Sequence, residues 1–298
     1  MNLLITGAWK GTARQIAEIR SMGHTVTEMP DERGEVPCDC AEVEGVICNG
    51  LFLYHSIEAF TSLRYIQLTS AGLDRVPLDY VQKKEIVLHN ARGVYSAPMA
   101  EFALAAVLYF YKQLPLFADN RSKRHWEKCR EVRELDGKTV CIVGCGSVGN
   151  ACAERFGALG CRVTGVDVSP REDGRYEKMY ATAALHEVLA LADAVVLTVP
   201  LTEQTRYLID AAALAALRDG CVLVNIARGG VVDTEALIAE LRKGRLFAAL
   251  DVFEQEPLDV SSPLWELENV LLTPHNSFVG DGNADRMWAV IRENLSAY

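Results

Sequence analysis

The sequence predicts an α/β protein of two domains, each built on a parallel sheet. Short apolar runs alternate with helix-compatible stretches along the chain, as in consecutive βα units. One apolar run leads directly into the motif Gly144-x-Gly146-x-x-Gly149. With 298 residues, 50% of them hydrophobic, the chain is long enough and apolar enough to form two cores.

The first third of the chain has the pattern of a small parallel sheet. We predict strands at 2–5, 24–27, 46–48 and 65–68, with helices at 12–22 and 56–62. Ligands gather beyond the carboxyl ends of the strands in such sheets. The loops at 7–11, 49–55 and 70–73 are therefore expected to form the walls of a substrate site.

A turn-rich stretch near Asn90 separates this region from a long apolar helix, predicted over 99–116. The helix is more apolar than a single buried face requires. We therefore expect it to lie between the domains and also to pack against a second subunit. The polar segment 119–133 then leads into the centre of the chain.

The central stretch, residues 138–167, is predicted to be one βαβ unit that binds a dinucleotide. Its glycines would provide a tight turn, close approach of backbone to pyrophosphate, and close packing of helix on strand. The helix N-terminus would face the pyrophosphate. Asp167, 18 residues after Gly149, would bind the ribose hydroxyls and repel a 2′-phosphate. The unit therefore predicts NAD rather than NADP.

The remaining strands complete a doubly wound sheet, with strands predicted at 194–199, 221–226, 247–250 and 270–272. A helix is expected over 234–243, capped by Thr234 and ended by Gly244. A final helix over 285–295 most simply returns to the first domain. That domain would then be discontinuous in sequence.

Charged side chains follow the late strands, at Arg228, Asp251 and His275, with Glu256 in a loop between them. All four are expected to converge on the cofactor crevice. Arg228 could hold a carboxylate with two hydrogen bonds, and His275 could exchange a proton with a carbonyl oxygen while Glu256 orients its ring. Each residue alone could be an ordinary cap or solvated loop residue. Together they favour reduction of a 2-oxo acid.

Charge and apolar patterning exclude several classes of function. A net charge of −10 and a pI near 5.2 disfavour nucleic acid and anionic membranes as partners. The longest apolar stretch, around 102–111, is shorter than the roughly 20 residues that span a bilayer. The N-terminus does not have the pattern of a signal peptide. We expect a cytoplasmic protein.

The nine cysteines are predicted to be reduced and to bind no metal, because they form neither a CxxC pair nor a zinc pattern. Cys38 and Cys40 are expected in an exposed turn. Four others lie in or beside predicted strands, where cysteine acts as a small hydrophobe: Cys141, Cys145, Cys161 and Cys221.

Several motifs together resemble the D-isomer-specific 2-hydroxyacid dehydrogenases, in the short, phosphoglycerate dehydrogenase-like form. They are VGCGSVG at the phosphate loop, VNIARGGVVD (224–233), LDVFEQEP (250–257) and LLTPHNSF (271–278). The resemblance implies a Rossmann-type NAD domain, 92–274, inserted into a smaller flavodoxin-like substrate domain, 1–91 and 275–298. It also implies a homodimer formed through the NAD domain and the helix after residue 97.

The same resemblance implies the roles of individual residues. Arg228, Glu256 and His275 would be catalytic, and Asp251 would contact the nicotinamide carboxamide. The backbone N–H groups of Ala71 and Gly72 would bind the substrate carboxylate together with Arg228, with Tyr95 nearby in place of a frequent asparagine. Contacts with NAD are expected from Gly144, Gly146, Ser147, Val148, Gly149, Asp167, Val199, Pro200, Thr205, Ala227, Asp251 and Met99.

The sequence therefore predicts an NAD-dependent dehydrogenase that interconverts a small 2-oxo acid and its D-2-hydroxy acid. An NADPH-preferring glyoxylate or hydroxypyruvate reductase is an alternative with the same catalytic residues, which Asp167 disfavours. A non-catalytic protein that senses dinucleotides through the same fold is another. The identity of the acid stays open, because a few loop residues decide it.

Overall fold

The computed structural model describes residues 1–298 and divides into two compact units. Unit 1 comprises Met1–Tyr95 and Gly280–Tyr298, and unit 2 comprises Ser96–Val279. The strands, in chain order, are β1 (Asn2–Thr6), β2 (Thr25–Met29), β3 (Gly45–Cys48), β4 (Tyr65–Leu68), β5 (Val87–His89), β6 (Thr139–Val143), β7 (Arg162–Asp167), β8 (Lys178–Ala181), β9 (Ala194–Leu197), β10 (Val222–Asn225), β11 (Phe247–Leu250) and β12 (Val270–Leu272). The helices are α1 (Ala13–Ser21), α2 (Leu78–Lys83), α3 (Ser96–Tyr111), α4 (Leu114–Ser122), α5 (Ser147–Ala158), α6 (Leu185–Leu189), α7 (Ala211–Ala216), α8 (Thr234–Arg242) and α9 (Asn283–Leu295).

The two units divide after residues 95 and 279, a few residues beyond 91 and 274, the domain boundaries expected from the resemblance. Residues 92–95 stay with unit 1 because Arg286 Nε donates to the Val94 carbonyl at 2.6 Å. The turn after His275 stays with unit 2 because the N–H groups of Asn276 and Ser277 donate to the Asp251 carboxylate. Each boundary therefore lies beyond a segment that hydrogen bonds hold to its own unit.

Unit 1 contains a five-stranded parallel sheet in the order β2-β1-β3-β4-β5, the order found in flavodoxin-like folds. β3 and β4 are buried along their whole length, and their last residues, Cys48 and Leu68, are paired. The prediction of a helix over 56–62 is wrong. The chain makes only a short 3₁₀ turn at Ile57–Ala59, because buried Phe60 and Leu63 turn it into the core.

Unit 2 contains a seven-stranded parallel sheet in the order β12-β11-β10-β9-β6-β7-β8. The chain runs outward from β6 in one direction and then restarts at β9 in the other, as in a Rossmann-type doubly wound sheet. β6, β9 and β10 are fully buried. This topology confirms the predicted fold and brings the carboxyl ends of the strands to one edge, where ligands bind in such sheets.

The single apolar helix predicted over 99–116 is two helices in the structure. α3 ends at Tyr111, Gln113 adopts a left-handed φ of 55°, and α4 begins at Leu114 with Pro115 in its first turn. Proline has no N–H to donate and its ring clashes with the carbonyl four residues earlier, so it cannot continue α3. The side of α3 that packs into unit 2 carries Ala100, Ala103, Val107 and Tyr111, all buried.

Smaller features also test the sequence predictions. Cys141, Cys145, Cys161 and Cys221 are buried, as expected, and all nine cysteines are free thiols. The cap of α8 is Asp233, whose side chain accepts from the N–H of Ala236, and not Thr234. No helix is both long and apolar enough to cross a membrane.

Candidate active site and cofactor site

The glycine motif after β6 forms an open cradle at the N-terminus of α5. Gly144 has a φ of 96°, which favours glycine. A Cβ on Gly149 would lie 2.1 Å from the Gly144 carbonyl oxygen, whereas one on Gly146 would meet nothing within 4 Å. No side chain caps α5, so its first N–H groups, from Ser147 onward, are left for a ligand. The cradle fits the pyrophosphate of a dinucleotide.

Asp167, at the end of β7, lies beside this cradle. One carboxylate oxygen accepts from the N–H of Cys145 at 2.7 Å and the other from the N–H of Ser169 at 2.9 Å. Arg171 donates to the Cys145 carbonyl at 2.8 Å and is 46% exposed. A carboxylate and a guanidinium therefore both lie at the edge of the phosphate loop. Burial raises the pKa of the Cys145 thiol to about 11, so this cysteine stays neutral.

The segment after β9 closes over the phosphate loop. Thr198 Oγ1 donates to the Gly144 carbonyl at 2.6 Å, and the methyl of Val199 would be 2.8 Å from a Cβ on Gly144. Thr205 Oγ1 donates to the Pro200 carbonyl at 2.6 Å and so fixes the next turn. A hydrogen bond thus joins the predicted cofactor residues Pro200 and Thr205. No pattern in the sequence indicated the hydrogen bond from Thr198 to the phosphate loop.

Ala227 and Met99 complete the set of predicted cofactor residues. Ala227 is buried beyond the end of β10, and Met99 packs against the core from α3. Their contact with the cofactor stays a prediction.

Asn225 fixes the turn that carries Arg228. Its buried amide accepts from the N–H of Ala227 at 3.1 Å and donates to the carbonyl of Arg228 at 3.1 Å. The guanidinium is half-buried and donates to the Ala227 carbonyl at 2.7 Å. Asn225 ends a fully apolar strand pattern, and that break in the pattern is the signal that could have identified it.

The loops of Arg228 and Glu256 are packed together through a glycine. A Cβ on Gly229 would lie 1.8 Å from the carbonyl carbon of Phe253, so only glycine allows the two backbones to approach this closely. Glu256 Oε1 accepts from the N–H of Phe253 at 3.1 Å. Close packing of the two turns places Arg228 and Glu256 in the same part of unit 2.

His275 and Glu256 form a hydrogen-bonded pair, as the sequence predicted. His275 Nδ1 lies 2.8 Å from Glu256 Oε2, and the two side chains are 40% and 37% exposed. His275 has a left-handed φ of 52°, uncommon for a residue with a side chain. Its ring lies edge-to-face with Phe278, with centroids 5.9 Å apart. Nδ1 is thus oriented by the carboxylate, while Nε2 makes no hydrogen bond within the protein.

Asp251 has a structural role that the sequence did not reveal. It is 0% exposed, and its carboxylate accepts from Thr273 Oγ1 at 2.6 Å, from the N–H of Asn276 at 2.7 Å and from the N–H of Ser277 at 3.0 Å. Its carbonyl accepts from the N–H of His275 at 2.8 Å. Asp251 therefore holds the turn on which His275 lies. Its predicted contact with the nicotinamide stays a prediction.

The predicted substrate residues Ala71, Gly72 and Tyr95 all belong to unit 1. The N–H groups of Ala71 and Gly72 donate no hydrogen bond within the protein. In contrast, the N–H groups after β3, at Asn49 and Gly50, already donate to the Glu32 carboxylate at 2.7 Å each. The N–H groups of Ala71 and Gly72 are therefore left for a ligand, whereas those of Asn49 and Gly50 are already used.

A phosphate loop at the switch point of a doubly wound sheet, with an arginine and a histidine–carboxylate pair beyond later strands, is typical of a nicotinamide-dependent oxidoreductase. No group of three or more His, Cys, Asp or Glu side chains is arranged to hold a metal ion.

Comparison with known proteins identifies the family. Residues 104–277 match the family model of the D-isomer specific 2-hydroxyacid dehydrogenase, NAD binding domain. A glyoxylate reductase from Korarchaeum cryptofilum is 34% identical over 247 residues, which cover 81% of this chain and 74% of that protein. The chain therefore belongs to the D-isomer-specific 2-hydroxyacid dehydrogenase family.

Two solved structures of similar fold were determined with nicotinamide cofactors. A D-isomer specific 2-hydroxyacid dehydrogenase from Xanthobacter autotrophicus, in complex with NADPH and MES, has a TM-score of 0.81 and 30% identity, covering 99% of this chain and 93% of that one. A D-lactate dehydrogenase from Aquifex aeolicus, complexed with NAD and lactic acid, has a TM-score of 0.79 and 26% identity, covering 99% and 94%. Members of this fold thus take either cofactor.

Proposed function

We propose that the protein is an NAD-dependent dehydrogenase that interconverts a small 2-oxo acid and its D-2-hydroxy acid. The observation that carries the proposal is the His275–Glu256 pair. One ring nitrogen is held 2.8 Å from a carboxylate oxygen, while the side chain stays 40% exposed. A histidine held in this way can exchange a proton with a bound substrate.

In the proposed reaction, His275 Nε2 donates a proton to the carbonyl oxygen of the 2-oxo acid. Glu256 stabilises the charged imidazole and fixes its orientation. Arg228 binds the acid and polarises its carbonyl group. A bound nicotinamide supplies the hydride, and in the reverse direction His275 accepts the proton.

The carboxylate of the acid is proposed to bind the N–H groups of Ala71 and Gly72. Support comes from their lack of acceptors within the chain and from the preference of adjacent N–H groups for anions.

NAD is proposed as the preferred cofactor because Asp167 presents a carboxylate beside the phosphate loop. Arg171, 46% exposed at the same edge, favours the alternative of an NADPH-dependent reductase. A guanidinium could pair with a 2′-phosphate. Comparing the KM values for NADH and NADPH decides between the two.

A homodimer through unit 2 is also proposed. Beyond the buried side of α3, apolar side chains of α4 and the next segment are exposed: Leu114 by 48%, Leu116 by 40%, Phe117 by 38% and Trp126 by 98%. Apolar surface of this kind marks interfaces. Sedimentation at micromolar concentration should give twice the 32.8 kDa chain mass, and a monomer would contradict the proposal. The cytoplasm is the proposed location.

The activity test follows NADH and NADPH oxidation with a panel of 2-oxo acids that includes glyoxylate, hydroxypyruvate and pyruvate. His275→Ala should abolish turnover and leave NADH binding intact. His186→Ala, an exposed histidine on α6, is the matched control and should keep full activity. Turnover by His275→Ala at the wild-type rate would refute the proton-donor role. No turnover by the wild type, together with NADH-dependent dimerisation, would favour the sensing protein.

A further inference from the structure

Three consecutive carbonyl groups of the loop after β4 are held by one short segment of unit 1. The Thr69 carbonyl accepts from the Tyr95 hydroxyl. The Ser70 carbonyl accepts from the N–H of Ala91 at 2.9 Å, and the Ala71 carbonyl accepts from Asn90 Nδ2 at 2.7 Å. We call Thr69–Gly72 the anion loop and Asn90–Tyr95 the supporting segment. Every donor to these three carbonyls comes from the supporting segment.

Fixing a carbonyl also fixes the N–H that follows it. The peptide unit is planar and trans, so the C=O of one residue and the N–H of the next point in opposite directions. The bond from Ala91 to the Ser70 carbonyl therefore sets the direction of the Ala71 N–H. The bond from Asn90 to the Ala71 carbonyl sets that of the Gly72 N–H in the same way. Both N–H groups point away from the supporting segment.

The supporting segment is itself anchored in unit 1. Ala91 and Val94 are 0% and 1% exposed. The Val94 carbonyl accepts from Arg286 of α9 at 2.6 Å, and Asn90 Oδ1 accepts from the N–H of Arg92 at 3.2 Å. Burial raises the pKa of Tyr95, so its hydroxyl remains a donor at neutral pH. A rigid segment can therefore impose its geometry on the anion loop.

We infer that Asn90 and Tyr95 are positioning residues of the anion loop. Asn90 aims the N–H of Gly72 at the carboxylate of the 2-oxo acid. Tyr95 holds the Thr69 carbonyl at the start of the loop, so that the N–H groups of Ala71 and Gly72 stay in place. The inference rests on the proposed function for the identity of the anion. It assigns Tyr95 a different role from that expected from the sequence, because its hydroxyl is used by the Thr69 carbonyl rather than by the substrate. Asn90, which the sequence pattern indicates only as part of a turn, fixes the direction of the Gly72 N–H through its bond to the Ala71 carbonyl.

The test measures binding of oxalate, a carboxylate that is not reduced, to the NADH-loaded protein by calorimetry. Asn90→Ala and Tyr95→Phe should each weaken oxalate binding about fivefold to tenfold, the effect of about one lost hydrogen bond. The KM for the 2-oxo acid should rise to the same extent, with kcat within about twofold and the Kd for NADH unchanged. A merely structural role would not produce this selective change.

Tyr65→Phe is the matched control. Tyr65 is a tyrosine of the same unit whose hydroxyl is buried without a hydrogen-bond partner, so losing it should leave oxalate binding unchanged. If Asn90→Ala does not fold, oxalate binding by Tyr95→Phe tests the inference alone. This variant keeps the aromatic ring and its packing and removes only the hydroxyl.

Oxalate binding at the wild-type level in folded variants would overturn the inference, as would a wild-type protein that binds no oxalate. A different result would contradict the proposed function and leave this inference standing. In that case the wild type would reduce no 2-oxo acid, but oxalate binding would still weaken in the two variants.

Discussion

Replacing Asp251 by asparagine tests whether a buried carboxylate holds the turn that carries His275. The carboxylate is 0% exposed and accepts three hydrogen bonds, two at Oδ1 and one at Oδ2. Asparagine has the same shape but only one oxygen. If that oxygen takes the place of Oδ1, the new NH₂ group faces the N–H of Ser277, where two donors oppose each other.

The expected loss of stability follows from the number of hydrogen bonds that the substitution changes. A hydrogen bond to a charged group contributes about 1.5–3 kcal/mol, and a buried donor left unpaired costs about 1–3 kcal/mol. One bond is lost and two become neutral, so the free energy of unfolding should fall by about 3 kcal/mol. For a unit of this size, that corresponds to a decrease in Tm of about 9 °C.

The assay is thermal and urea unfolding of the protein without cofactor, which separates this effect from any contact with the nicotinamide. Asp233→Asn is the matched control. Asp233 caps α8, and asparagine caps about as well as aspartate, so its Tm should stay within about 2 °C. Wild-type stability in Asp251→Asn would refute the assigned role. In the folded variant, kcat should also fall, because the His275 turn loses its support.

Three further predictions concern the His275–Glu256 pair and the cofactor site. Glu256→Gln keeps the shape but removes the charge 2.8 Å from His275, so kcat should fall at least roughly tenfold; unchanged kcat would contradict the pairing role. Gly149→Ala places a methyl 2.1 Å from the Gly144 carbonyl oxygen, and calorimetry should show loss of NADH binding and about 1–3 kcal/mol lower stability. Asp167→Ala should raise the KM for NADH and reduce discrimination against NADPH; a constant ratio of the two KM values would rule out Asp167 as the selectivity residue.

The parts that the sequence predicted well are those where a local pattern has one physical explanation. The motif from Gly144 to Gly149 needs glycine for backbone contacts that the structure contains. Buried parallel strands appear as apolar runs, so the strands of unit 2 were predicted to within a few residues, with the amphipathic edge strand β8 as the exception. The pairing of His275 with Glu256 was also predicted, from their positions beyond strand ends.

The parts that the sequence did not predict depend on contacts between distant residues. Asp251 was interpreted only as a cofactor contact, because nothing in the sequence shows that the N–H groups of Asn276 and Ser277 turn back to it. The break between α3 and α4 has a local cause in Pro115, but the apolar run on both sides obscured it. Hydrogen bonds from Asn90 and Tyr95 to the anion loop join residues 19 and 26 positions apart.

The return of α9 to unit 1 imposes an order on biosynthesis. Gln67 in β4 is 0% exposed, and its side-chain oxygen accepts from Asn294 of α9, 227 residues later in the chain. A ribosome has therefore completed every strand of unit 2 before the helix that covers this part of unit 1 is made. Until then, the nascent first unit has an unpaired polar group in its sheet. Unit 2 can therefore fold first. The supporting segment of the anion loop is anchored only later, when α9 is made and Arg286 can bind the Val94 carbonyl.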